Sequence, residues 1–153
     1  MITRRQTSCF TLAALGLLAA VSITGCSVLD RSSHLVAMTT KLRAANEVPP
    51  NPSRGTGTLD AVFDKNTNVL RWKLAYGGLT APATAGHFHG PAAVGANAGV
   101  VLPWPGPIKN PMEGSATLTP AQAADLLAGR WYANIHTKNY PAGEIRGQMA
   151  VQN

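Results

Sequence analysis

Cysteine is nearly absent: the chain holds two, Cys9 and Cys26, so at most one disulfide is available to it. A fold of this size must then rest on its apolar core. Charge is sparse too. Charged residues make up 13% against 45% hydrophobic, which excludes a disordered polyelectrolyte. Lys and Arg outnumber Asp and Glu by 13 to 7, but they form no basic run and no aromatic interleaving, so nucleic acid is not an expected partner. The longest apolar run, residues 10–23, is too short to span a bilayer. Chemistry-bearing patterns are missing as well. The glycine-rich stretch 91–99 is not closed by a GK[ST] and so makes no phosphate-binding loop, and there is neither a nucleophile elbow nor a spaced carboxylate pair. Ser or Thr adjoins His only at Ser33-His34 and His136-Thr137, where neighbours on a strand point apart. An enzyme is therefore not expected.

What is present begins with an address. Arg4-Arg5 forms a basic start, residues 10–23 an apolar middle, and Ile23-Thr24-Gly25-Cys26 a small-residue end before a cysteine. This resembles a bacterial lipoprotein signal with its lipobox. The resemblance implies removal of residues 1–25, lipidation of Cys26 and anchoring through three acyl chains, beyond the two signals that stable attachment needs. Arg4-Arg5 also invites a twin-arginine reading, but Gln6-Thr7-Ser8 lacks the hydrophobic pair, so ordinary Sec export is expected. Ser27 after the cysteine resembles the sorting preference for the outer membrane, which places the protein at its periplasmic face. With Cys9 removed and Cys26 lipidated, no disulfide remains, and any metal must be held without thiolate. Loss of Arg4 and Arg5 leaves 11 basic residues against 7 acidic, a formal charge of +4. Residues 26–33 read as a polar tether and 34–153 as one domain.

Along that domain the pattern is of short strands. Residues 35–42 are β-prone and are stopped by Asn46-Glu47-Val48-Pro49-Pro50-Asn51-Pro52. In residues 56–64, Leu59, Ala61 and Phe63 alternate with polar neighbours. Lys65-Asn66-Thr67-Asn68 makes a hairpin turn, and residues 69–76 return with Leu70, Trp72 and Leu74 on one face. Further strands are expected at 85–89, 100–102, 115–118, 130–137 and 144–151. Thr119-Pro120-Ala121-Gln122 is a capping box with proline at the first helical position, and Gly129 closes the one expected helix, residues 120–128. Seven or eight short strands with a single helix predict an all-β, antiparallel sandwich of the immunoglobulin or superoxide-dismutase kind.

The histidines carry the functional expectation. Strand alternation puts His87 and His89 on one face with Phe88 on the other, and His136 shares its face with Tyr132 and Asn134. If the two strands are neighbours, three imidazoles converge, and such a set binds copper or zinc with a position left open. Hydrogen bonding of these histidines to adjacent loops is the competing reading. Gly86 and Gly90 bracket the pair and permit close approach or mark a bulge. Met112 and Met149 are candidate soft ligands, with core or surface packing the stronger expectation for each.

Three blocks also resemble a known family: Asn46-Glu47-Val48-Pro49-Pro50, then Ala85-Gly86-His87-Phe88-His89-Gly90-Pro91-Ala92, then Asn134-Ile135-His136-Thr137 with Pro141-Ala142-Gly143-Glu144-Ile145-Arg146-Gly147-Gln148. In order and spacing they resemble the CHRD domain, named from chordin, over essentially the whole mature chain. The resemblance implies an exported protein but no settled activity. Gly86 departs from the alanine usual before the first histidine, a change an extended strand should tolerate. The order His87, His89, His136 is also similar to the copper site of copper-zinc superoxide dismutases, but the bridging histidine is missing, and His34 lies near the tether. Metal capture is therefore expected over redox catalysis. The alternative is a non-catalytic envelope module with a protein partner, in which Glu144 and Arg146 form an ion pair or brace the turn and the segment 46–52 and Trp104 form the contact surface, although Trp104 packed over a loop is the stronger expectation.

Overall fold

The structure, a computed structural model, describes residues 34–152. The expected signal, residues 1–25, the tether 26–33 and the lipidated Cys26 lie outside the described residues. The described chain runs β1 (Leu35–Arg43), a 3-10 turn (Ala44–Asn46), β2 (Thr56–Asp64), β3 (Val69–Gly77), β4 (Ala83–His89), β5 (Val100–Pro103), β6 (Met112–Thr117), α1 (Pro120–Leu127), β7 (Tyr132–Thr137), β8 (Ile145–Gln148) and β9 (Ala150–Val151). The strands form one antiparallel sheet in the order β5-β4-β7-β8-β1-β2-β3-β6, with β9 pairing β1.

The sheet curls so that its two halves face each other. Trp72 on β3 packs edge-on against Phe88 on β4 with ring centroids 5.2 Å apart, although five steps of the sheet separate those strands. The result is sandwich-like, with the core between the two halves, as the alternation predicts. Leu59, Ala61 and Phe63 of β2 and Leu70, Trp72 and Leu74 of β3 all face that core, and the hairpin turns at 65–68 with Asn68 at φ 56°. Helix α1 starts as its capping box requires: Thr119 Oγ1 accepts from the Gln122 N–H, and Gln122 Oε1 accepts from the Thr119 N–H. It ends at Leu127, one residue early, with Gly129 beyond it at φ 69°.

One expectation needs correction, and two open readings are decided. The last strand is not continuous from 144 to 151. Met149 turns inward to 1% exposure, its N–H donating to the Trp131 carbonyl, and this divides β8 from β9. Met112 and Met149 both belong to the hydrophobic core, the packing role expected ahead of soft ligation. Trp104 is packed, the role expected ahead of a contact surface. It is 6% exposed, 5.2 Å from Phe88 and 6.4 Å from Trp72.

Trp104 also explains Gly86. A Cβ at that position would collide with the Trp104 six-membered ring, and a Cβ at Gly90 would come within 2.7 Å of Trp131 Cδ1. The glycines therefore serve close packing of indoles on the core face, beneath the histidines. Gly86→Ala is expected to destabilise the domain by about 1–3 kcal/mol through overpacking, even though the strand is extended. Urea denaturation checks this, and an unchanged midpoint would show that the indole moves aside freely.

Candidate metal centre

Strands β4 and β7 are hydrogen-bonded neighbours, with Ala85 opposite His136, His87 opposite Asn134 and His89 opposite Tyr132. Opposed residues share a face, so His87, His89 and His136 all project from the outer side of the sheet, away from Phe88, Ala133 and Ile135. One nitrogen from each of the three imidazoles falls in a group whose members lie within 4.8 Å of one another. His87 Nδ1 is 3.1 Å from His136 Nε2.

Backbone carbonyls set the tautomers. His89 Nδ1 lies 3.0 Å from the Ala98 carbonyl and His136 Nδ1 lies 3.1 Å from the Pro141 carbonyl. A carbonyl only accepts, so both Nδ1 atoms carry the proton, and each neutral ring presents a bare Nε2 lone pair. His136 Nε2 then accepts from His87 Nδ1–H. His89 Nε2 is buried and has no hydrogen-bond partner among the described residues. Imidazoles whose Nδ1–H is tied to a carbonyl while Nε2 points into a shared space are arranged as metal ligands usually are.

The surroundings keep these rings neutral. Burial lowers the pKa of all three, and the fields of His136 and His89 lower His87 further. His89 stacks on Tyr132 at 4.9 Å with the planes 3° apart, and the Arg146 guanidinium lies 3.4 Å over the other ring system's centroid. Arg146 is in turn held by Asn97 Oδ1 at 2.9 Å and the Ala96 carbonyl at 2.6 Å, which fastens the loop 91–99 beside His89. The fourth histidine, His34, stands at the start of β1, 3.9 Å from Asp64, and takes no part.

Two carboxylates complete the frame. Glu144 does not pair with Arg146; it takes the other role expected of it and braces the turn that follows β7, through Thr137. It is fully buried and accepts from Ser53 Oγ, Thr137 Oγ1, and both the N–H and Oγ1 of Thr80. Burial pushes its carboxyl up, but these hydrogen bonds together hold it below the usual range. Glu47 accepts from Asn134 Nδ2 at 2.6 Å. Burial pushes its pKa up to about 7, with Asn134 and Arg146 pulling only part of the way back. Gly143, at φ 138°, makes room for this pair: a Cβ there would stand 2.7 Å from both Glu47 Oε1 and Asn134 Nδ2. Tyr132, Asn134 and Glu47 were not singled out from the sequence as parts of the site, although Tyr132 and Asn134 alternate in phase with His136.

The family model of the CHRD domain matches residues 38–149. The chain belongs to the CHRD domain family. No curated protein and no solved structure matches it. All three histidines and both buried carboxylates of this CHRD domain lie within the matched residues.

Glu47 yields a pH prediction. Its pKa rises from 4.5 to about 7 on folding, so the folded form holds the extra proton. Its stabilising contribution is full below pH 4.5 and is lost as pH rises through 7. The lowered histidines act oppositely, contributing above their unfolded value and losing that contribution as pH falls through their folded values. Comparison with Glu47→Gln isolates the carboxyl: between pH 5 and 8 the parent should lose on the order of 3 kcal/mol relative to the variant. A stability difference independent of pH in urea titrations would contradict this.

Proposed function

We propose that this CHRD-domain protein captures a transition metal, copper or zinc, through His87, His89 and His136, and catalyses no reaction. The observation that carries the reading is the buried Nε2 of His89, a lone pair without a partner beside that of His136. Leaving such an acceptor unsatisfied costs roughly 1–3 kcal/mol, and a metal ion removes that cost. Moving one proton of His87 from Nδ1 to Nε2 gives three inward lone pairs. The 3.1 Å separation of His87 and His136 is close to the ligand–ligand edge of about 3.3 Å that tetrahedral coordination at ordinary nitrogen distances requires. All-nitrogen ligation suits copper and zinc, and three protein ligands leave a place for an exogenous one.

In the same reading the protein is exported, anchored through lipid at Cys26, and held at the periplasmic face of the outer membrane. The lipobox pattern and Ser27 support this placement. An envelope protein is a partner to consider at the exposed Pro49 and Pro50, which rim a cleft of about 220 Å³ between the segment 47–51 and the turn 139–143. Nucleic acid is not proposed as a partner.

Isothermal titration of untagged protein with copper and zinc tests the site. The His87→Ala/His89→Ala variant should bind roughly a hundredfold more weakly or not at all, since loss of even an outer-shell partner weakens a site tenfold or more. Equal affinity in parent and variant would sink the proposal. Affinity should also fall with acidification, because protons compete for the same lone pairs. Burial holds the imidazoles below 6.5, so binding should persist below that pH before it is lost.

A further inference from the structure

The outer face of the sheet carries a second feature that the metal reading does not use. One registered row crosses it from His87 through Asn134, Arg146 and Arg43 to Thr56 and Gly77. At the far end of that row the face is hollow. Thr56, Thr58, Ala75 and Gly77 form a floor of small side chains, and a cavity of about 560 Å³ opens above them. Lys41 and Arg43 of β1 stand on one side and Arg54, from the segment before β2, on another. All three cations are exposed, none makes an ion pair among the described residues, and no acidic side chain lines the cavity. The neighbouring row differs: Lys73 is paired with Glu113 at 3.1 Å, and Asp60 accepts from Thr39 at 2.7 Å.

The geometry points to a binding site for a phosphate-bearing ligand in the groove between Lys41, Arg43 and Arg54. Two guanidinium forks match the oxygens of a phosphate bidentately, Lys41 adds a compact charge, and the Thr56 and Thr58 hydroxyls supply neutral donors along the floor. A concave wall of small residues concentrates the field of the three charges better than a flat surface does. The groove is open and has room for a phosphate bearing a further moiety or for more than one phosphate. The ligand's source is either a phospholipid headgroup or a soluble phosphorylated compound. This site is independent of the histidine cluster and stands whether or not metal binds there.

Titration of the full chain with pyrophosphate tests the proposal, alongside Arg43→Gln/Arg54→Gln and a charge-matched control, Lys109→Gln/Lys138→Gln, whose residues are exposed but lie outside the groove. Both double variants alter exposed side chains, and an unchanged thermal midpoint confirms that they fold. Pyrophosphate should bind the parent, weaken with salt, and lose about tenfold or more in affinity in the groove variant alone. No binding to the parent, or equal weakening in both variants, would overturn it. Co-sedimentation with phosphatidylglycerol vesicles separates the sources. Vesicle binding lost only in the groove variant, and displaced by pyrophosphate, assigns the headgroup. Vesicle binding alike in both variants, with pyrophosphate binding lost only in the groove variant, assigns a soluble ligand.

Discussion

Every side chain of β7 is buried, on both faces of the sheet, and the rest of the domain is arranged around that constraint. On the inner face the solution is simple: Ala133 and Ile135 join the core beneath Phe88 and Trp131. On the outer face Tyr132, Asn134 and His136 are polar, and buried polar groups must find partners or cost free energy. Each partner comes from a different loop. Ala98 answers Tyr132, Glu47 answers Asn134, and Pro141 answers His136. Loops that are separate in sequence are thereby drawn over one strand, and the histidines of β4 are enclosed with it.

Glu144 and Glu47 show how the environment divides two similar groups. Glu144 sits among four donors and keeps its charge, tying Ser53, Thr80 and Thr137 together at one end of the sheet. Glu47 has one close donor, and burial raises its pKa to about 7, so that it exchanges its proton in the physiological range. The Arg146 guanidinium, stacked on Tyr132 and fastened to the loop 91–99, adds the rigid backing against which His89 lies flat. Rings held by stacking and by a carbonyl at Nδ1 would lose little freedom on engaging Nε2, which in the proposed metal site favours tight capture over rapid exchange.

Much of this was legible in the sequence because it depended on period. Alternation in β2 and β3 places Leu59, Phe63, Leu70 and Trp72 correctly, and the same alternation puts His87 and His89 on one face. Capping chemistry at Thr119 and Gln122 locates the helix almost to the residue. What period could not show was long-range contact. Gly86 reads as a tolerant exception until Trp104, eighteen residues on, is seen against it. Glu144 and Arg146 read from their spacing as an ion pair or a brace of the turn; no pair forms, because Glu144 is taken by Thr137, Ser53 and Thr80 and Arg146 by the loop 91–99. Met149 reads as part of a continuous strand until its inward turn divides β8 from β9. The convergence of His136 with the earlier pair needed the adjacency of β4 and β7, which spacing alone leaves open.

The central claim is that these three imidazoles form one metal site, and X-ray absorption of the copper- or zinc-loaded protein examines it most directly. Scattering from three imidazole rings, with nitrogens at about 2.0–2.1 Å from the metal, is the predicted result. A first shell of oxygen donors without imidazole scattering, or protein that retains no stoichiometric metal after desalting, would contradict the account.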